Sequence, residues 1–353
     1  MAPPASMAAQ DGAEMPQTIT LGLFLQYTYA RRGNDRLLSD VSLTTTIPLD
    51  NHRSFDKPQH DLGDLEMLPL ELQQLVLASV DLQTLTDFRR VNRKAREVVN
   101  SVQDYGRIVN HAAPALRAAL SIEAARHFTC ADLLHTLTSS ECVECGAFTS
   151  FIYLPTCKRV CYLCRCECTQ YFPLGTNEAA RNYGVDRATI KKLPYVKSLP
   201  GFYGPKCRRQ RTRLHLVDRQ AARQAGVEHH GSEIDMYNYA FDKHTREVKK
   251  YQKKKAKNAA AGDNKHVRRP PHLVPTDDRE DDPRRYMLVI HARPFDKASM
   301  DVKEGRHCLA CAKEVIGWAK ELDKKKFEQH MQEYGAIERM GNGGFRHRKA
   351  GMQ

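Results

Sequence analysis

Residues 141–166 read ECVECGAFTSFIYLPTCKRVCYLCRC and contain two Cys-x-x-Cys pairs, Cys142 with Cys145 and Cys161 with Cys164, fifteen residues apart. A two-residue gap lets one tight turn aim both thiolates at a single ion, and two such turns complete a tetrahedron at about 2.3 Å from zinc. Four thiolates fill that tetrahedron and leave no position for water or substrate. The chemistry implied is structural zinc, whose binding supplies on the order of 10 kcal/mol to folding, rather than catalysis. Gly146 follows the first pair, where a left-handed residue frees backbone amides to hydrogen-bond the sulfurs. Lys158, Arg159 and Arg165 lie close in sequence and would offset the net negative charge of such a centre. Cys157, Cys166 and Cys168 are read as free thiols, because single-residue spacing suits one tetrahedral ion less well.

A further pair, Cys308 and Cys311, stands nineteen residues before His330, which gives three plausible ligands for a second metal site. Spacing assigns no fourth. His307 abuts Cys308 and is too close to share its ion, and Cys207 is distant in sequence; the alternative is two unligated cysteines in a loop. Catalytic patterns are missing. Cys142 and Glu144 have the first spacing of a nucleobase deaminase, but no PCxxC follows, and neither a P-loop nor HExxH occurs. No CxH stands between cysteine pairs, as a RING-type ligase would require.

These ligands need elements to hold them. Between the first two pairs, FTSFIYL has the aromatic and β-branched character of a strand, which predicts a small zinc-clasped hairpin. Upstream, apolar residues at 68, 72, 75, 76 and 80 have helical spacing, with Pro69 in the first turn. Leu82, Leu85, Phe88 and Val91, then Ala95, Val98 and Val99, mark two more helices, so 65–101 reads as a compact three-helix unit. The Ala- and Leu-rich stretch 108–137 predicts a helix packed on it. Downstream, 176–184, 186–193 and 216–226 read as short helices, with Asp186 and Asp218 as N-caps and Gly184 and Gly226 as stops. Residues 243–257 carry eight Lys or Arg against one Glu. RRYMLVIHARPF (284–295) has β character, and a last helix ends near Gly335.

The expected organisation is a mostly disordered leader (1–64), the three-helix unit (65–101), a helical region (102–240) carrying the four-cysteine module (142–164), a basic helix and charged linker (241–283), a C-terminal β/CxxC/helix module (284–340) and a flexible tail (341–353). The fold class is mainly α with small zinc-stabilised β elements and an irregular α+β C-terminal region.

Composition bounds the setting. The 353 residues include 41% hydrophobic and 27% charged side chains, enough to bury a core over part of the chain while leaving long solvated stretches. A formal charge of +13 implies attraction to nucleic acid, anionic surfaces or acidic proteins. The most apolar early run, ITLGLFLQYTYA (19–30), is too short to span a membrane and follows Asp11 and Glu14 rather than basic residues, which argues against a signal peptide. Eight of eleven cysteines between Cys130 and Cys168 suit metal binding in a reducing compartment, so the chain is placed inside the cell, in cytoplasm or nucleus.

The stretch 68–99, LPLELQQLVLASVDLQTLTDFRRVNRKAREVV, resembles an F-box: an opening Leu-Pro, a Glu two residues later, spaced aliphatics, then Val and a basic third helix. F-boxes dock on the Skp adaptor of cullin ubiquitin ligases. The resemblance implies that Leu68, Pro69, Leu72, Leu75, Leu82, Leu85 and Val91 form the adaptor-facing and packing surface. It departs where a tryptophan is common in the third helix, here Ala95 and Arg96. CVECG, FIYLP, KRVCYLC, KKLPYVKSLPGFYG, EGRHCLACAK and FEQHM extend the likeness, over about 65–340, to a zinc-cysteine F-box group of filamentous fungi. In that group the last helix usually carries a Cys four residues after its His, and here that place is Tyr334. The function implied is a substrate receptor of a Skp-cullin-F-box ligase: an adaptor-bound subunit that holds an unidentified protein target near a ubiquitin-charged enzyme and has no active site of its own. The alternative is a zinc-dependent nucleic-acid-binding protein using KCRRQRTR (206–213) and 243–257, disfavoured because Tyr251 is the one aromatic in the basic run that could stack on bases.

Overall fold

In the computed structural model, residues 19–30, 36–39, 60–262, 266–271, 282–314 and 317–348 are described, with single positions or pairs at 43–44, 47, 49 and 273. The described residues form twelve α-helices and short strands only. The chain divides into two compact units, residues 32–304 and residues 1–31 with 305–353.

In the larger unit each early helix begins at a residue suited to its end. Pro69 precedes Leu70–Ser79. Asp81 accepts from the Thr84 amide at the head of Leu82–Phe88, and Asn92 accepts from that of Ala95 at the head of Arg93–Ser101. Such caps satisfy amides that have no partner in the first turn. The following helix, Gln103–Ser121, departs from helical dihedrals at Ala112, two residues before Pro114, which lacks an N–H and crowds the preceding turn. Its Ala115, Leu116, Ala118 and Ala119 are buried, and small side chains there let the neighbouring Cys130–Thr138 helix come close.

Phe151–Tyr153 pairs antiparallel with Lys158–Arg159, the hairpin expected between the cysteine pairs. Its other edge takes Val289–His291, with Ile152 opposite Ile290. The 284–295 segment, expected in the C-terminal module, thus belongs to the sheet of the four-cysteine region: Val289 and Ile290 are apolar and need a buried neighbour, which Phe151–Tyr153 supplies. A second sheet orders Leu174–Gly175, His215–Val217 and Tyr195–Lys197. Against it lie Thr176–Asn182, Arg187–Lys192, Arg219–His230 and the 28-residue Glu233–Ala260, around Phe172, Leu174, Ile190, Val217 and Met236. Gly226 is not the stop expected of it. The helix runs on to Gly231, at φ +86°, and Gly226 is a close approach: a Cβ there would lie 2.5 Å from Met236 Sδ and 3.1 Å from the Tyr183 carbonyl oxygen.

The smaller unit is built from both ends of the sequence. Leu21–Tyr27 is a helix capped by Thr20, and Thr28–Tyr29 pairs antiparallel with His307–Cys308. Lys324–Tyr334, capped by Asp323, packs Phe327 edge-on against Phe24 at 5.4 Å. Ile337–Arg339 and Phe345–His347 form a hairpin with Ile337 opposite His347. The leader is therefore ordered at 19–29, where Ile19 and Phe24 are buried, and Leu38, Leu43 and Leu49 are buried in the larger unit; much of the rest of 1–64 lies outside the described residues. Likewise 345–347 form a strand within the segment read as a tail.

Candidate metal centres and an exposed apolar face

The first pair of cysteines sits on a tight turn. The Cys142 amide donates to the Ala147 carbonyl and the Gly146 amide to that of Cys142, with Gly146 at φ +69°. The second pair opens a helix: Cys161 caps Tyr162–Glu167 and its sulfur accepts from the Cys164 amide at 3.4 Å. A Val143 amide to Arg159 carbonyl bond fastens one turn to the other. The four ligand atoms then lie within 4.8 Å of one another, with Cys145 Sγ 3.7 Å from Cys161 Sγ. A tetrahedron with 2.3 Å bonds to zinc has edges of about 3.8 Å, so this sulfur set fits zinc. Hydrogen bonding from the Cys161 thiol, helped by the amides of Cys161, Cys145 and Glu144, pulls Cys142 down to about 4. The bond to Cys142 and burial push Cys161 up, and burial pushes up Cys164. Four sulfurs this close cannot all ionise without a cation, and a divalent ion would supply one.

Two of the basic residues expected to offset the charge of the cluster also have partners of their own. Arg159 is 1% exposed and donates to the carbonyls of Thr136, Thr149, Ala292 and Leu137 at 2.7–3.2 Å. Two of those carbonyls end the Cys130–Thr138 helix, whose C-terminal dipole favours a cation. Arg165 is fully buried with its guanidinium 4.8–5.4 Å from the ring centres of Phe151, Tyr162 and Tyr286. Cys157 lies outside the cluster at φ +50°, and burial pushes its thiol up to about 12.

In the smaller unit Cys308, Cys311 and His330 converge, and His347 joins them. Its Nε2 is 3.4 Å from Cys308 Sγ, 3.3 Å from Cys311 Sγ and 3.1 Å from His330 Nε2. Cys311 Sγ is 3.5 Å from His330 Nε2. The edges of a Cys₂His₂ zinc tetrahedron are about 3.3–3.8 Å, so this set fits as well. His347 Nδ1 meets the Gly335 carbonyl at 2.9 Å; a carbonyl only accepts, so the proton is on Nδ1 and the Nε2 lone pair faces the cluster. Hydrogen bonding by Cys311 holds Cys308 down at about 2, with His330 and His347 adding to it. His307 is not a member and packs on Tyr29 instead. The fourth ligand escaped the spacing argument because it lies in the Gly- and Arg-rich end. A signal was present: Asn342-Gly343, with Gly343 at φ +81°, is hairpin chemistry, and it folds His347 back beside Ile337.

The apolar residues of 68–91 divide sharply. Leu82 and Leu85 are fully buried, while Leu68, Leu72, Leu75 and Val91 are exposed, Leu75 by 66% and Val91 by 69%. Met67, Leu70 and Val76 are exposed with them. In Leu70–Ser79 the buried positions are Gln73 and Leu77, and Gln73 donates to the Leu68 carbonyl. The helical period marks an outward apolar face, and contiguous exposed apolar side chains mark surfaces that a partner covers.

Comparison with known families matches residues 65–105 to the F-box domain. F-box domains typically bind a Skp adaptor and through it a cullin, and F-box proteins are generally receptor subunits rather than enzymes. No curated protein and no solved structure matches the chain. Among the described residues, no helix is long and apolar enough to cross a membrane.

Proposed function

We propose that the protein is the substrate-receptor subunit of a Skp-cullin-F-box ubiquitin ligase, one of a group that carries zinc-cysteine modules behind its F-box. The observation behind this reading is the exposed face of Leu68, Leu72, Leu75, Val76 and Val91, which falls inside the matched F-box segment. Leu82 and Leu85 act from beneath, holding the helices that present it. Two zinc ions, one on Cys142, Cys145, Cys161 and Cys164 and one on Cys308, Cys311, His330 and His347, brace the remainder, which presents a target surface. The chain supplies proximity and no reacting group.

Co-expression of the full chain with a Skp adaptor, followed by size exclusion and metal analysis, tests the reading. The expected result is a stoichiometric complex with zinc. Leu72→Glu with Leu75→Glu places two charges in the apolar contact and should lower adaptor affinity at least 100-fold while zinc content stays constant. An adaptor that elutes alone from the unaltered protein overturns the assignment.

The second reading, nucleic-acid binding, rests on the exposure of Lys249, Lys250, Lys253, Lys254, Lys255 and Lys257 along one helix. Binding to random DNA or RNA that falls steeply with salt would support it. No binding at low salt removes it.

A further inference from the structure

Between Lys197 and His215 the chain runs out and back as a two-stranded ribbon. Its base is the antiparallel pair Tyr195–Lys197 and His215–Val217. The Ser198 amide then donates to the Leu214 carbonyl, and the Leu214 amide to the Ser198 hydroxyl, both at 2.9 Å. Gly201–Tyr203 and Arg208–Gln210 continue the pairing to a turn in which the Cys207 amide meets the Gly204 carbonyl. One side of the ribbon faces the protein, with Val196, Tyr203 and Leu216 buried in the main core. Side chains alternate along a strand, so Phe202 and its cross-strand neighbour Arg209 fall on the other side. Phe202 is 49% exposed there.

Two guanidiniums converge on that ring. Arg209 lies 5.9 Å from its centre and Arg36 lies 5.7 Å from it. Arg36 is distant in sequence and is held in place where its carbonyl accepts from the Gly204 amide at 3.1 Å. Arg211, two residues beyond Arg209, is exposed as well. These three arginines have no acidic partner among the described residues, whereas Arg213 is bonded to the carbonyls of Ser198 and Ser121. At the base of the ribbon the Tyr195 and exposed His215 rings lie parallel within 3°, a second flat surface.

In sequence the basic run 243–257 carries Tyr251 as its one ring, which disfavours stacking on bases. Folding changes this at the ribbon, where a flat, exposed ring stands among guanidiniums. Positive charge without counter-charge favours an anion. An acidic peptide brings the charge without planar bases, and a duplex brings bases whose faces are hidden in their own stack. A single strand brings both, unstacked bases for the ring and the guanidinium planes and phosphates for the N–H groups.

We infer that the outward face of the 195–217 ribbon binds single-stranded nucleic acid, a base stacking against Phe202 and the planes of Arg36 and Arg209 while these arginines and Arg211 hold phosphates. This rests on the nucleic-acid reading above and moves its contact from the lysine helix to the ribbon. The ribbon lies outside the matched F-box segment, so the receptor reading stands or falls separately.

The test uses the full chain and four fluorescent probes read by anisotropy: oligouridylate and oligothymidylate of about 12 nucleotides, a DNA duplex of the same length, and polyglutamate. Both single strands should bind at least tenfold more tightly than the duplex or the peptide, and the ratio between them tells RNA from DNA as the source. Phe202→Ala should weaken single-strand binding at least fivefold, and Phe202→Trp should preserve it, which a merely electrostatic patch would not require. Arg209→Gln with Arg211→Gln should weaken it too, and flatten the slope of log affinity against log salt by about 1.4. Lys249→Gln with Lys253→Gln, on the exposed lysine helix, should leave the preference for single strands unaltered. Binding that survives Phe202→Ala but is lost in the lysine variant overturns the ribbon and leaves the helix as the contact. Equal binding of duplex and single strand overturns the stacking, and no binding at low salt overturns both. Zinc content and adaptor co-purification, read on the same samples, show that each variant is folded.

Discussion

The two candidate metal centres share a Cys-x-x-Cys start and differ in nearly everything around it. The four-sulfur set is local: all ligands fall between Cys142 and Cys164, on a turn and a helix start fastened by a backbone bond, over a large apolar core that runs from the F-box helices into the sheet. The Cys₂His₂ set draws on a strand end, a helix and a hairpin, and its unit has a small apolar cluster to which Cys308 and Cys311 themselves belong. With zinc the first centre would carry net negative charge and the second none. A metal in the local, charged centre would trim one edge of a large core, whereas one in the dispersed, neutral centre would substitute for a core that is small.

Removing one ligand from each centre should separate these roles. Cys311→Ser should lower zinc from two ions to one per chain and abolish amide-exchange protection throughout Lys324–Tyr334, since metal-linked folding energy on the order of 10 kcal/mol exceeds what so small a core provides. Protection that survives would break the contrast. Cys161→Ser should also cost one zinc, but lose protection only around 142–168, with Leu70–Thr138 unaffected and adaptor still bound. Loss of protection across those helices would mean that the first centre, too, carries its unit.

Smaller changes probe what surrounds the ligands. Arg159→Met takes a side-chain donor from the carbonyls of Thr136, Thr149, Ala292 and Leu137, the last still bonded by the Phe295 amide, and should destabilise the larger unit by about 3–5 kcal/mol, read as a lower urea midpoint with zinc retained. Gly226→Ala, away from both centres, forces Met236 and Tyr183 apart and should cost about 1–3 kcal/mol. His347→Cys should change stability least, because Cys₃His is an accepted zinc set; in the cobalt-substituted protein its sulfur-to-metal absorption should rise relative to wild type. An unchanged spectrum would remove His347 from the centre.

Much of this was legible where chemistry is encoded locally. Cys-x-x-Cys spacing, Asp186 and Asp218 as caps, and the hairpin at 151–159 all depend on residues within a few positions of one another. What could not be read depends on distant partners. Val289–His291 has the same character whether it pairs with Phe151–Tyr153 or with a later strand. Gly226 looks like a helix stop until Met236, on the next helix, is seen to need its space. The apolar period of Leu72, Leu75 and Val76 is the same for an inward or an outward face, and only the burial of Gln73 and Leu77 decides it. The Ala292 carbonyl that Arg159 meets and the Tyr286 ring that Arg165 meets likewise come from distant parts of the chain.

The joining of Thr28–Tyr29 to His307–Cys308 has a consequence in time. Arg306 follows Thr28 by 278 residues, and the guanidinium that holds the Thr28 hydroxyl and carbonyl emerges from the ribosome only after them. At about 5–20 residues per second, the first strand waits on the order of 15–55 s for its partner, its neighbours Ile19 and Phe24 uncovered meanwhile. Most of the larger unit emerges in that interval, and its strand Val289–His291 arrives only about 1–3 s before Arg306.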